Sequence, residues 1–317
     1  MRRLSELSLR YRYKIMTERV VIDMKQCECI AFIGGDQRQI RVINQMSKAG
    51  AKIRVFGFGE NSRKEFDENI EFAESIDELS DKYRAIILPL PYSTDGENIN
   101  TAFDVRKLSL SNVLKIIRPK SCILAGRCDE KLRTLAQVCD IILVDYFERE
   151  ELMVFNAVPT AEGAIQIAME ETAHTINNSE CLVIGNGRIS KILCKMLLGL
   201  GAKVTVSARK YGDLAYAQTF GYSAVPIWEL QSIIDEFDII FNTVPALILD
   251  RRMLSKIRKN SLVIDLASKP GGVDFESAKE LGIKVIWALS LPGKVAPDTA
   301  GDIIADTILN ILDEMEV

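Results

Sequence analysis

The chain has 317 residues, length for about two domains, with 48% apolar residues and a net charge of −4, a balance that argues against nucleic acid as its main partner. Its seven cysteines form no CxxC pair and it has a single histidine, which argues against a zinc centre or a disulfide framework and suits a reducing compartment. No apolar run reads as a membrane span and none reads as a signal core.

Residues 1–24 form a basic leader (Arg2, Arg3, Arg10, Arg12 and Lys14 against Glu6), expected to be disordered, and it is set aside from the fold. From there strands and helices alternate. CIAFIGG (29–35) reads as a strand and glycine turn, Asp36 to Lys48 as a helix, and KIRVFGF (52–58) as the next strand. AIILPLP (85–91), SCILAG (121–126) and DIILVDY (140–146) follow as strands, with helices over 108–117 and 130–138. Short continuous apolar runs of this kind belong to parallel strands covered on both faces. Pro159 and Thr160 are expected to open a helix running to about Thr175, joining the halves. In the second half, 181–184, 204–206, 238–245, 261–268 and 283–289 read as strands. The last segment, from Pro297, reads as a helix with Ile303, Ile304, Ile308 and Ile311 on one face, expected to return to the N-terminal half. The fold class is therefore α/β: two Rossmann-like doubly wound parallel-sheet domains joined by a long helix. The expected boundaries are 25–158, a helix at 159–178, 179–297, and 298–317.

The sharpest motif is CLVIGNGRIS (181–190). An apolar strand meets Gly185, Asn186 and Gly187, and a helix-period pattern with Ile189 follows Arg188. Backbone amides and a helix N-terminus at such a turn suit a pyrophosphate. Ser190 stands where a third glycine would complete the dinucleotide fingerprint. At the end of the next strand, the acid that would hold the ribose hydroxyls is missing. Ser207, Arg209 and Lys210 stand there instead and suit the 2′-phosphate of NADP.

Three segments at strand ends complete the expected cofactor set. Asn242, Thr243, Val244 and Pro245 follow one strand, Asp265 and Ala267 another, and Pro292 and Gly293 lie in a loop whose amides suit a carboxamide. Ser268 and Lys269 are candidates to reach a substrate carboxylate. In the first half, Gly34 and Gly35 lack the dinucleotide spacing, and Arg38 sits in a first helical turn where acids are favoured. Either a salt bridge or an anionic substrate accounts for Arg38 there. Asp36 and Glu162 are the candidate bases, and neither is preferred. Glu162 also fits a capping box.

GGDQRQ (34–39), FNAVPTAEGAI (155–165), IGNGR (184–188), ASKPGG (267–272) and LPGKVAPDTAG (291–301) together resemble the A-subunit of dipicolinate synthase from spore-forming Firmicutes, from about Lys25 to the C-terminus. The resemblance implies a flavodoxin-like N-terminal substrate domain and an NADP-binding Rossmann domain. It also implies oxidation of dihydrodipicolinate, a lysine-pathway intermediate, to dipicolinate in the cytoplasm of the sporulating mother cell. The flavoprotein-like B-subunit of dipicolinate synthase is the implied partner, and a homo-oligomer without membrane or metal is expected. Two alternatives stand beside it: another two-domain NAD(P)-dependent dehydrogenase of a small carboxylate, and a non-catalytic NADP(H)-binding regulatory protein.

Overall fold

The computed structural model describes residues 29–79, 83, 85–104 and 106–315. The basic leader lies outside the described residues. The chain divides into two compact units, one holding the residues up to Met153 and from Pro297 onward, the other Val154–Ala296.

In the first unit, β1 (Ile30–Ile33), β2 (Ile53–Phe56), β3 (Glu71–Phe72), β4 (Ala85–Ile87), β7 (Cys122–Ala125) and β8 (Ile142–Asp145) form one parallel sheet in the order β3-β2-β1-β4-β7-β8. A two-stranded hairpin, β5 (Asn98–Ile99) and β6 (Leu108–Ser109), is antiparallel and separate. Counting only sheet strands, the order is 3-2-1-4-5-6. That is the Rossmann order, not the 2-1-3-4-5 of flavodoxin, so the flavodoxin-like expectation is corrected. The source of the discrepancy is β3, a two-residue edge strand, Glu71–Phe72, too short to show an apolar run.

The strands bury both faces, as continuous apolar runs require. Phe32, Ile87 and Leu124 enter one cluster and Ala31, Ile86 and Ile123 the other. Helix Gln37–Lys48 is capped by Asp36, which accepts from the Arg38 amide, and buries Ile40, Ile43 and Met46. The C-terminal helix Pro297–Glu314 packs on it, placing Ile304, Ile308, Ile311 and Leu312 in the same cluster. A Cβ on Gly301 would stand 2.6 Å from Arg41 Cβ, so only glycine allows this approach. Asp302 pairs with Arg41 at 2.6 Å, and Glu314 with Arg149 at 2.6 Å.

In the second unit, β9 (Glu180–Ile184), β10 (Lys203–Ala208), β11 (Ser223–Pro226), β12 (Ile239–Asn242), β13 (Leu262–Asp265) and β14 (Lys284–Trp287) form a second parallel sheet, order β11-β10-β9-β12-β13-β14. This is again the 3-2-1-4-5-6 order. Leu182, Ile184, Ile240 and Val263 face one cluster, and Cys181, Val183, Phe241 and Ile264 the other. Burial pushes the thiols of Cys181 and Cys194 up to about 12, so they behave as small apolar side chains.

The joining helix departs from expectation. It spans Glu150–Glu171 with Pro159 inside, rather than opening at Pro159, and 172–178 is not helical. Glu150 and Glu151 supply the acidic first turn. Pro159 withdraws the N–H that would bond the Phe155 carbonyl, and packing of Ala157, Ala161 and Ala164 carries the helix through. It is also the one helix among the described residues long and apolar enough to cross a membrane, which the sequence had not led us to expect. Ala161, Ala164, Ile165 and Ala168 lie in the second unit's core, the pattern of a core helix.

Candidate functional site: a dinucleotide turn and two sheet edges

β9 ends at Ile184 and the chain turns through Gly185 at φ 104°. The Gly185 amide donates to Ser207 O at 2.8 Å. A Cβ there would stand 2.5 Å from Thr243 Oγ1 and 3.0 Å from Val244 Cγ2, so glycine is demanded by the fold itself. Gly187 is different. Its φ of −84° suits any residue, and a Cβ would meet nothing within 4 Å. It opens helix Arg188–Gly199 with no side-chain cap, on the exposed side of the turn. A helix start without a capping side chain beside open space has the shape and polarity for an anion.

Ser190 replaces the third glycine and has a use of its own. It is fully buried, and its hydroxyl lies 2.8 Å from Thr243 Oγ1, which donates to Ile184 O at 2.8 Å. Helix and neighbouring loop are thus clamped by hydroxyls where the fingerprint would have close backbone packing. Asn186 Nδ2 donates to Asp213 Oδ1 at 3.2 Å, tying the turn to helix Tyr211–Thr219. Ile189 packs against the core.

At the ribose end the structure corrects one expectation. Ser207 is fully buried in β10, opposite Ile184 and Val225, and its Oγ has no hydrogen-bond partner. A hydroxyl inside the sheet does not meet a ligand at its edge. Arg209 and Lys210 remain: both are exposed, and neither forms an ion pair with a described residue.

Asn242 and Asp265 are corrected in the same way. Both are fully buried and use their polar atoms on the protein. Asp265 accepts from Asn242 Nδ2 at 2.8 Å, the Gly272 amide at 2.8 Å and the Ala267 amide at 3.1 Å. Asn242 Nδ2 also donates to Val244 O at 3.0 Å. The pair braces the loops after β12 and β13 from beneath. Those loops present Thr243, Val244 and Pro245, and then Ser268 and Lys269, with Pro245, Ser268 and Lys269 exposed. Ala267 is buried, its carbonyl accepting from Trp287 Nε1 at 2.9 Å. Pro292 and Gly293 stand not in a loop but in a short helix, Leu291–Val295. Leu291 is buried there, and Gly163 lets Leu291 and Val295 approach to 3.2 Å of where its Cβ would be.

In the first unit, ligands of an open sheet gather where the strand order reverses, here between β1 and β4. Arg38 is at that point. Its Nε and Nη2 grip both oxygens of Asp36 at 2.6–3.2 Å, and Nη2 also donates to Leu90 O in the loop after β4. Arg38 and Asp36 are therefore brought together, but as a salt bridge rather than as separate groups. Glu162 belongs to the second unit. It is exposed and lines a shallow apolar groove with Ile165, Met169 and Met196 of the second unit. It caps nothing, since the helix starts twelve residues before it (162 − 150). Sequence reasoning also missed Arg127, an exposed arginine at the end of β7. Its one available signal was the Gly126-Arg127 pair at a strand terminus.

The family model for the N-terminal domain of the dipicolinate synthase A-subunit matches residues 29–147, and that for shikimate/quinate 5-dehydrogenase matches 166–286. The chain is 34% identical to the dipicolinate synthase A-subunit of Bacillus subtilis over 291 residues, covering 90% of this chain and 96% of the relative. The crystal structure of the dipicolinate synthase A-subunit from Bacillus halodurans superposes with a TM-score of 0.84 at 31% identity, covering 90% and 97%. A transhydrogenase from Sinorhizobium meliloti, at 15% identity, 90% and 94% coverage and a TM-score of 0.68, shares the fold. With the 3-2-1-4-5-6 strand order in both sheets and a relative matched along almost its whole length, this chain belongs to the family of dipicolinate synthase A-subunits.

Proposed function

We propose that the protein oxidises dihydrodipicolinate to dipicolinate with NADP⁺, in the cytoplasm of a sporulating cell and together with a B-subunit. The observation that carries the cofactor is the turn at 185–188: open space above Gly187 and an uncapped helix start, with Arg209 and Lys210, exposed and without an ion pair to a described residue, one strand away. These residues fit a phosphorylated dinucleotide. The helix start takes the pyrophosphate and Arg209 and Lys210 the 2′-phosphate. NADP⁺, when bound, supplies the hydride acceptor.

The chain's own residues supply the rest. Arg38 holds one substrate carboxylate at the switch point of the first sheet, as a fork that matches two oxygens. A carboxylate that takes the guanidinium displaces Asp36, which is the base for the ring proton. The hydride and that proton leave together and the ring becomes aromatic. Ser268 and Lys269, exposed after β13, are the second unit's candidate donors to a substrate carboxylate. Glu162, exposed in the second unit, is the alternative base.

The test is a coupled assay. Dihydrodipicolinate synthase supplies the substrate and dipicolinate absorbance is followed with and without the B-subunit. Dipicolinate formation dependent on this chain and on NADP⁺ is expected. No formation under either condition overturns the reading.

A further inference from the structure

Arg127 is held in an unusual way. It sits at φ 64°, a left-handed conformation that glycine adopts freely and arginine does not. A buried carboxylate holds it there: Asp145 accepts from the Arg127 amide at 2.9 Å and from the Cys128 amide at 2.6 Å. Asp145 is itself occupied, accepting also from the Phe147 amide at 2.9 Å and lying 3.5 Å from Arg133. The Arg127 guanidinium is exposed and makes no ion pair or hydrogen bond with a described residue. The fold thus keeps a strained arginine where glycine would be easier, and uses none of its guanidinium donors on a described residue.

Its position ties it to Arg38. The loops after β4 and β7 are laced together: the Tyr92 amide donates to Gly126 O at 2.9 Å and the Gly126 amide to Pro89 O at 3.2 Å. A Cβ on Gly126 would stand 2.8 Å from Leu90 Cβ, and Leu90 O is the carbonyl that Arg38 Nη2 reaches. Arg38 therefore bonds the loop after β4, and that loop is laced to the one that carries Arg127, one strand beyond the switch point. Arg38 is paired with Asp36, and Arg127 with no described residue.

We propose that Arg127 binds the second carboxylate of a planar dicarboxylate whose first carboxylate is held by Arg38. The inference rests on the functional reading above and makes the first unit a two-carboxylate site. A monocarboxylate would engage only one of the two.

Equilibrium titration of the full chain with dipicolinate and with picolinate, which has one carboxylate, tests this. Arg127→Gly removes the fork and relaxes the backbone, so its thermal midpoint should not fall below wild type. Its affinity for dipicolinate should drop about tenfold or more, to the level of picolinate, while picolinate and NADPH binding stay unchanged. Arg127→Lys keeps the charge without the fork and should fall between. A glycine variant that binds dipicolinate as wild type does, or that loses both ligands equally, overturns the role of Arg127 alone. A wild-type chain that binds neither ligand overturns the functional reading, and this inference with it.

Discussion

Replacing each of the two turn glycines by alanine separates what the fold needs from what a ligand needs. At Gly185 a methyl would stand 2.5 Å from Thr243 Oγ1 with the backbone at φ 104°. Positive φ costs an alanine about 1–2 kcal/mol and the clash adds about 1–3 kcal/mol, for a total of about 2–5 kcal/mol. Such a loss lowers the unfolding midpoint of the second unit by about 2–4 °C for each kcal/mol. At Gly187 the backbone already suits alanine and the methyl meets nothing within 4 Å. The only structural cost is a poorer helix cap, at most about 1 kcal/mol. If the open space receives a pyrophosphate, the same methyl intrudes on the ligand, and affinity for NADPH should fall tenfold or more, about 1.4 kcal/mol. Differential scanning fluorimetry and fluorescence titration read both effects. Gly185→Ala should lose stability, whereas Gly187→Ala should keep it and lose the cofactor. A Gly187→Ala protein that binds NADPH as tightly as wild type would refute the placement of the pyrophosphate.

Three further outcomes are expected. Arg209→Ala should weaken NADPH binding by about 1.5–3 kcal/mol and leave NADH binding unchanged, closing the gap between the two in a titration. Asp265→Ala leaves the Asn242, Ala267 and Gly272 donors without their buried acceptor, so urea unfolding should show a loss of about 3 kcal/mol or more. Arg38→Met should raise KM for the dicarboxylate with the NADPH titration unaltered, since Arg38 and the glycine turn belong to different sheets.

The sequence made the two sheets legible because buried parallel strands are continuous apolar runs, and the glycine turn legible because strand, turn and helix stood in register. It concealed what depends on third partners. Ser207 looked like a ribose ligand because it follows an apolar strand, but strand alternation turns it inward beside Ile184, and only the sheet register reveals that. Asp265 and Asn242 looked like site residues because polar groups at strand ends commonly are. Their use, bracing one another and the loop amides after β13, is set by contacts distant in sequence. Pro159 looked like a helix start because local rules place proline there, and packing of the alanines at 157, 161 and 164 overrode it. The edge strands β3 and β11 escaped because they are short and partly exposed. Arg127 escaped because its conformation comes from Asp145, eighteen residues further on.

The most direct measurement is the stoichiometry of the reaction without a flavin. Under anaerobic conditions, with purified chain, NADP⁺ and enzymatically supplied dihydrodipicolinate, the account predicts one NADPH formed for each dipicolinate. Dipicolinate appearing without NADPH would contradict it.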